Sequence, residues 1–180
     1  MQQKIVFIGG PGTGKTSVLN QLIERNYYAM PEISREIILE AKKQGIDQLF
    51  VTKPLLFSKL LLEKREQQFL EATKTKQKIV FFDRGIPDIQ AYLSFSNTKI
   101  PKLFLKKSTS YTYNTIFHFS PWKEIHTTDN ERYETFEQTK MIDNHLIKTY
   151  TSLGYTIINV PFGSLEQRAN FIIHSIAYNL

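Results

Sequence analysis

The chain has 180 residues, of which 41% are hydrophobic and 22% charged, with a formal net charge of +6 and no cysteine. A chain of this length forms one domain, expected here over residues 1–180, and the lack of cysteine excludes disulfide frameworks, cysteine-based zinc sites and thiol nucleophiles, which suits a cytoplasmic protein. The modest positive charge favours anionic small molecules over nucleic acid as partners, and because no apolar run approaches membrane-spanning length we expect neither a membrane span nor a signal peptide.

The first predicted elements are a buried strand and the glycine-rich turn that ends it. Residues 5–8 are apolar and mostly β-branched, and Gly9-x4-Gly14-Lys15-Thr16 then satisfies the G-x-x-x-x-G-K-[ST] pattern of a phosphate-binding loop. In this pattern the backbone N–H groups of the turn face phosphate oxygens. The lysine brings positive charge to the β- and γ-phosphates, and the threonine hydroxyl ligates Mg²⁺.

A helix with apolar periodicity, predicted to run to about residue 25, follows the loop and adds its positive dipole end to the anion site. The alternative is a turn that joins a strand to a helix and binds nothing, but the strand before it and the helix after it favour a phosphate site. We therefore predict ATP and Mg²⁺ as cofactors. The residues of the loop predicted to bind the nucleotide are Gly9, Gly10, Pro11, Gly12, Thr13, Gly14, Lys15, Thr16 and Ser17.

The rest of the chain alternates between strand and helix patterns. Further strands are predicted at residues 27–30, 78–82, 115–119 and 156–160. Further helices are predicted at residues 34–43, 54–74, from about 87, at 133–153, and after a capping box formed by Ser164 and Gln167. Residues 89–123 hold five lysines and no acidic residue, which we interpret as a solvated basic face.

This alternation predicts an α/β fold, a P-loop NTPase three-layer sandwich in which a five-stranded parallel sheet has helices on both faces. Ligands of such sheets bind at the carboxyl ends of the strands. Each polar motif described below follows a predicted strand, so these motifs are expected to share one edge of the sheet.

Asp83 and Arg84 come directly after the apolar strand at 78–82. A carboxylate in this position can hold Mg²⁺ directly or through water, opposite Thr16, so Thr16 and Asp83 are the candidate metal ligands. Apolar strands ending in aspartate are common, but the pairing with a phosphate loop favours the functional interpretation. Arg84 is a candidate for clamping a substrate anion, with a surface arginine beside Gly85 as the alternative.

Glu32 leaves the second predicted strand directly after Pro31. If Glu32 faces the cleft, it can accept a proton from a substrate hydroxyl as a general base. A carboxylate at this position can equally stabilise the positive end of the helix that follows. Both interpretations stay open.

A polar segment at 120–132 is the best candidate for a mobile lid. Its last residue, Arg132, could reach the γ-phosphate as charge develops there, or it could pair on the surface with Glu134 or Glu137. The four histidines show neither metal-ligand nor catalytic-triad spacing, so we expect most of them to play no chemical part.

Five stretches, GGPGTGKT, PE, DRGIPD, NERYE and VPFGSLEQR, together resemble the NadR-like P-loop ATPases, also grouped as AAA-type ATP-binding proteins. The resemblance covers essentially the whole chain, and the relatives are kinase-like: ribosylnicotinamide kinase domains and, more distantly, deoxynucleoside and nucleotide kinases. It implies that Lys15 and Thr16 hold ATP and Mg²⁺, that Asp83 and Arg84 lie beside the acceptor, and that Arg132 belongs to the lid. The loop implied to lie near the base is Pro161, Phe162 and Gly163.

The expected function is a small-molecule kinase that transfers the ATP γ-phosphate to a nucleoside-like or other small hydroxyl or phosphate acceptor. No H-x-G-H adenylyltransferase signature occurs, so the resemblance implies kinase activity alone. A nucleotide-dependent switch or GTPase is the alternative, although the sequence completes neither the D-x-x-G nor the [NT]-K-x-D motif. A mechanical ATPase is disfavoured, because it would need additional lid domains.

Overall fold

The structure, a computed structural model, describes residues 1–126 and 134–177. Its strands are β1 (Gln3–Ile8), β2 (Tyr28–Met30), β3 (Ile79–Asp83), β4 (Thr115–His118) and β5 (Ile157–Asn159). Its α-helices are α1 (Lys15–Glu24), α2 (Ser34–Lys43), α3 (Leu49–Thr52), α4 (Pro54–Lys74), α5 (Pro87–Phe95), α6 (Lys102–Ser110), α7 (Phe136–Ser152) and α8 (Leu165–Ala177). A 3₁₀ helix covers Lys123–Ile125.

Within the described ranges, the strands form one five-stranded parallel sheet in the order β2-β3-β1-β4-β5. In the register of β1, Phe7 lies opposite both Asp83 of β3 and Phe117 of β4. The carboxyl ends of the three central strands therefore meet at one edge of the sheet. The phosphate loop begins at this edge, and Asp83 lies on it.

The side chains of β1 alternate between two helical layers, as a strand buried on both faces requires. Ile5 and Phe7 belong to a buried cluster with residues of α1 and α8, including Leu22 and Ile172. The residues that alternate with them, Val6 and Ile8, belong to a second buried cluster. This cluster also contains Ala72 of α4 and Tyr150 of α7. Each fully buried large apolar side chain contributes about 1.5–3 kcal/mol relative to exposure. The predicted three-layer α/β sandwich is confirmed.

A third buried cluster lies beside the carboxyl edge of the sheet. It joins α2, α3, α4, α5 and α6, and its members include Ile37, Leu49, Leu61, Ile89 and Phe104. These helices form a cover next to the phosphate loop, and this cover has its own apolar core. The site described below lies between the cover and the sheet edge.

Two helices were not predicted. In α6, Phe104 and Ser108 are buried and lie four residues apart, whereas Lys102 and Lys106 are exposed, so part of the basic face in residues 89–123 lies on this helix. A single turn such as α3 is too short for a periodic pattern. The helix predicted from residue 133 begins at Phe136, after a capping box that sequence reasoning missed.

The capping box predicted before the last helix is present, with Ser164 Oγ accepting from the Gln167 N–H at 3.2 Å and Gln167 Oε1 accepting from the Ser164 N–H at 2.9 Å. Among the described residues, no helix combines the length and the apolar character that a membrane crossing requires.

Candidate active site

The turn between β1 and α1 requires glycine at three of its positions. Gly9, Gly12 and Gly14 have φ angles of 142°, 73° and 83°, in the region that L side chains rarely adopt. A Cβ on Gly9 would collide with the Phe119 carbonyl oxygen, and one on Gly14 would lie 2.7 Å from Arg168 Nη1. The turn therefore leaves no space for a side chain at Gly9 or at Gly14.

Lys15 is 5% exposed, and its ammonium group rests on the turn. Nζ donates to the carbonyl oxygens of Gly9 at 2.9 Å and Gly10 at 2.8 Å, and to Thr13 Oγ1 at 3.2 Å. Burial, and then the nearby charge of Arg84, lower the pKa of Lys15 to about 7. A bound phosphate would favour the charged form again, because an anion within a few ångströms stabilises an ammonium ion.

Thr16 and Asp83 meet across the sheet edge. Thr16 Oγ1 donates to Asp83 Oδ2 at 2.6 Å. The buried Asp83 Oδ1 has no hydrogen-bond partner among the residues that the structure describes. Burial, followed by the charge of Glu32, raises the pKa of Asp83. A hydroxyl and a carboxylate with a free oxygen suit Mg²⁺, which binds proteins through one or two such ligands plus phosphates and waters. These residues fit the ion.

Glu32 stabilises the start of the following helix and also forms ion pairs at the cavity, whose lining it joins. Its Oε1 accepts from the backbone N–H groups of Ile33 and Ser34 at 2.9 Å each, at the start of α2. Its Oε2 lies 2.5 Å from Arg84 Nε, and Arg65 Nη2 lies 3.4 Å from Oε1. Burial alone would raise the pKa of Glu32, but the two guanidinium groups lower it to about 2. The carboxylate is therefore ionised and anchored by cations.

Arg84 is held in a strained backbone conformation. Its φ is 74°, which costs a non-glycine residue about 1–2 kcal/mol. Its Nη1 donates to Gly9 O at 3.3 Å and to Asp88 Oδ1 at 3.4 Å, and its guanidinium lies 5.3 Å from the centre of the Tyr92 ring. Although burial would lower the pKa of Arg84, Tyr92, Glu32 and Asp88 raise it. The side chain links the phosphate loop to Glu32.

Sequence reasoning missed two buried charged residues of this site. Arg65 is 4% exposed, and its Nη1 donates to Gly85 O at 2.8 Å. Asp88 is fully buried and accepts from the Gly85 N–H at 2.9 Å and from the Tyr150 hydroxyl at 2.7 Å. Arg65 comes four residues after the buried Leu61 in α4. A charged residue on the apolar face of a helix was the available signal.

Arg168 is a third residue of this kind. It is 2% exposed and precedes the buried Ile172 by one turn of α8. Its Nη2 donates to Thr13 O at 2.9 Å, and its guanidinium lies 4.8 Å from the centre of the Phe119 ring. Burial lowers the pKa of Arg168. The side chain supports the phosphate loop from the side of α8.

Aromatic residues lie beside the loop on the side of β5. The rings of Trp122 and Phe162 stack with centroids 4.9 Å apart and an angle of 27° between their planes, and the Arg168 guanidinium lies 5.7 Å from the Trp122 ring. Of the three loop residues implied to lie near the base, Gly163 lines the cavity described below, whereas Pro161 and Phe162 are exposed.

The first part of the segment predicted as a lid packs against the phosphate loop. Ile125 Cδ1 lies 3.2 Å from where a Cβ on Gly14 would be, and the His126 ring occupies the corresponding space at Gly12. The remainder of the segment, with the candidate Arg132, falls in residues 127–133, which lie outside the described residues.

One cavity of about 1120 Å³ joins these groups. Residues 11–17 of the phosphate loop line one part, whereas Gly9 and Gly10, also predicted to bind the nucleotide, are not among the lining residues. The other part is lined by side chains of the helical cover, including Ile38, Phe50, Phe57, Leu61 and Tyr92. The volume exceeds the roughly 300–1,000 Å³ of a typical small-molecule pocket, so the cavity has room for more than one ligand.

Solved structures with the same fold include two kinases and a NadR protein. A deoxyadenosine kinase from M. mycoides with dCMP and dCDP bound superposes with a TM-score of 0.70 at 12% identity, covering 98% of this chain and 100% of that one. Thymidylate kinase from Candida albicans gives 0.71 at 16% identity, with coverages of 99% and 92%. A NadR protein in complex with NR gives 0.72 at 17% identity, with coverages of 97% and 51%. At these identities, the likeness shows the fold alone.

No curated protein shows a significant match to the chain. A family model described as an AAA domain matches residues 4–168, which is most of the sequence. The match begins in β1 and ends in α8, so it includes the phosphate loop, Glu32, Asp83 and Arg84. The resemblance expected from the sequence is confirmed: the chain belongs to the AAA domain family and has the fold of the kinase-like P-loop NTPases.

Proposed function

We propose that the protein is an ATP-dependent kinase of a small molecule that carries a hydroxyl group, formed by one domain over residues 1–180. The observation that carries the proposal is the second, apolar part of the cavity. Arg84 connects that part to the phosphate loop, because it contacts Gly9 O on one side and Glu32, at the start of α2, on the other. A protein that only bound ATP would need no such compartment.

The phosphate loop would hold the nucleotide. Lys15 and the N–H groups of the turn bind the phosphates, and the loop of Pro161, Phe162 and Gly163 lies near the base. Thr16 and Asp83 would hold Mg²⁺, which neutralises charge on the β- and γ-phosphates. If the segment at 120–132 acts as the lid expected from the sequence, its closure would exclude water that would otherwise hydrolyse ATP, and Arg132, which lies outside the described residues, would act on the transferred group.

The charges in the cavity favour a neutral acceptor. Arg65 and Arg84 are both within ion-pair distance of Glu32, and Arg84 also reaches Asp88. A phosphate acceptor would have to displace these carboxylates, whereas a hydroxyl can hydrogen-bond to Glu32 without breaking the cluster. The apolar lining by Phe50, Phe57 and other side chains suits a ring. A nucleoside-like alcohol fits both requirements.

Glu32 would orient the acceptor more than it would deprotonate it. A carboxylate whose pKa is about 2 is a weak base near neutral pH. Phosphoryl transfer proceeds through a loose transition state in which positioning and charge neutralisation supply most of the catalysis. Accepting a hydrogen bond from the hydroxyl is therefore sufficient. Asp83, whose pKa is raised, remains the second candidate for the base.

A nucleotide-dependent switch without an acceptor is the second candidate function. One observation favours it: Glu32 Oε1 already accepts from the N–H groups of Ile33 and Ser34, as a purely helix-stabilising carboxylate would. In a switch, the apolar part of the cavity would serve a conformational change.

An ADP-release assay with a panel of acceptors tests the two functions. Neutral nucleosides and other ring-bearing alcohols are expected to raise a slow basal rate towards the roughly 1–100 s⁻¹ typical of kinases, and the corresponding monophosphates are not. Lys15→Ala should abolish the stimulated rate, whereas Lys64→Ala, on the exposed side of α4, should leave it unchanged. ATP binding without stimulation by any acceptor would favour the switch.

A further inference from the structure

A buried histidine and aspartate lie behind the phosphate loop, where the proposed reaction does not use them. His118, at the end of β4, is 3% exposed, and Asp143, in α7, is 5% exposed. His118 Nε2 lies 2.9 Å from both carboxylate oxygens of Asp143, and Nδ1 lies 2.7 Å from Asn159 Oδ1 of β5. Burial and the charge of Lys15 would lower the pKa of His118, but the bonds to Asp143 and Asn159 outweigh them and raise it.

Asp143 reaches the phosphate loop directly. Its Oδ1 accepts from the Gly10 N–H at 3.2 Å. That N–H and the Gly9 carbonyl belong to one planar peptide group, so fixing the N–H also fixes the direction of the carbonyl. The Gly9 carbonyl oxygen is one of the groups that hold Lys15 Nζ, at 2.9 Å. A continuous chain of contacts therefore leads from His118 through Asp143 to Lys15.

A second contact one turn earlier in α7 holds the same part of the loop. Thr139 Oγ1 donates to Pro11 O at 3.3 Å, and a Cβ on Gly10 would lie 2.6 Å from Thr139 Cγ2. Thr139 and Asp143 lie on one face of the helix, four residues apart. This face of α7 would therefore fix the position of the peptide between Gly9 and Gly10 relative to the sheet.

We propose that His118 and Asp143 are positioning residues for nucleotide binding: His118 holds the Asp143 carboxyl group in place, and Asp143 orients the Gly9–Gly10 peptide that holds Lys15. The inference rests on the proposed function in one respect, that Lys15 binds phosphate. The two carboxyl oxygens allow Asp143 to contact the His118 ring and the Gly10 N–H at the same time, which explains why this side chain occupies the buried position. A merely structural pair would support the sheet without affecting the affinity for nucleotide.

The test is the affinity for AMP-PNP with Mg²⁺, measured through the emission of Trp122, the single tryptophan of the chain. Asp143→Ala and His118→Gln are each expected to weaken binding about tenfold, the effect of one lost buried hydrogen bond. The double variant should bind no more weakly than Asp143→Ala alone, because His118 acts through Asp143. Asp143→Asn, which keeps an acceptor for the Gly10 N–H without the charge, should show a smaller loss and provides a variant of similar shape if the alanine variant fails to fold.

His145→Gln is the matched control. His145 lies in the same helix and is half-buried, and its Nδ1 lies 3.0 Å from Ser94 Oγ, away from the loop. This variant is expected to lower the melting temperature of the free protein without changing the affinity. Wild-type affinity in the Asp143 and His118 variants, or additive losses in the double variant, would overturn this inference but not the proposed function. A wild-type protein that binds no nucleotide would overturn the proposed function and this inference with it.

Discussion

Replacement of Glu32 by glutamine removes the negative charge of a side chain that contacts two guanidinium groups and two backbone N–H groups. The amide oxygen can still accept from Ile33 and Ser34. The amide NH₂ would then face Arg84 Nε, so a donor meets a donor where an ion pair was. The variant therefore keeps the start of α2 and loses the link between the helical cover and the phosphate loop.

The expected loss of folding stability follows from the pKa of the carboxyl group. Its surroundings lower the pKa of Glu32 from the ordinary 4.5 to about 2. At about 1.36 kcal/mol per pKa unit, the ionised form stabilises the fold by about 3 kcal/mol. For a chain of this size, that corresponds to a fall in melting temperature of about 6–12 °C. The acceptor-stimulated ATPase rate should fall as well, whereas ATP affinity should stay nearly unchanged, because Glu32 does not contact the loop.

Thermal melts across pH test the reasoning. A carboxyl group with a lowered pKa contributes its full stability above the unfolded value of about 4.5, and this contribution is lost as pH falls towards about 2. The difference in melting temperature between the wild type and Glu32→Gln should therefore be constant from about pH 8 to pH 5 and should shrink below about pH 5. Glu36→Gln is the control, since its partner Lys64 lies 2.8 Å away on the surface, where ion pairs contribute little. A Glu32→Gln protein that melts with the wild type at neutral pH, as the control should, would refute the anchoring role.

Four further outcomes are expected. Mg²⁺-ATP at about 100 times its dissociation constant adds about 2.7 kcal/mol of stability, seen as a rise in melting temperature, and Lys15→Ala should remove most of this rise while the free protein melts as before. Asp83→Asn should reduce Mg²⁺-dependent turnover far more than nucleotide affinity, and equal losses of both would contradict its metal role. Titration calorimetry near pH 8, in buffers of different ionisation enthalpy, should show proton uptake on ATP binding, because the pKa of Lys15 in the free protein is about 7 and rises beside phosphate. His118→Gln should destabilise the protein more near pH 6 than near pH 8.5, because a raised histidine pKa contributes stability that is lost as pH rises through it; a pH-independent difference would contradict this.

The parts of the site that could be predicted are those written in a short stretch of sequence. The phosphate loop needs glycine, lysine and threonine at fixed spacing, and a buried parallel strand ending in Asp83 has a recognisable apolar pattern. Each strand and most helices can likewise be recognised from a local apolar pattern, so their alternation was sufficient to predict the parallel sheet. The single turn α3 was missed, because four residues carry no period.

The parts that could not be predicted depend on contacts between distant residues. His118 meets Asp143 only because β4 and α7 pack together, and a single sequence carries no record of that pairing. Arg65 lies on the buried face of α4 beside Leu61 and Leu62, but its ion pair with Glu32 joins residues that are 33 positions apart. For Glu32, the sequence left stabilisation of the following helix and a general-base role as alternatives. The structure shows the hydrogen bonds to the start of α2, and it adds ion pairs with Arg65 and Arg84 that no local pattern records.

The peptide between Gly9 and Gly10 is held from both directions. Lys15 and Arg84 both donate to its carbonyl oxygen, while Asp143 accepts from its N–H. An acceptor hydroxyl that hydrogen-bonds to Glu32 would weaken the attraction between Glu32 and Arg84, and would thereby change how Arg84 and Lys15 share the carbonyl oxygen and how tightly the loop holds phosphate. Thermodynamic linkage then requires reciprocity: whatever factor the acceptor contributes to the affinity for ATP, ATP contributes to the affinity for the acceptor. Cooperative binding of the two substrates would in this way arise at a single peptide group, without any movement of the sheet.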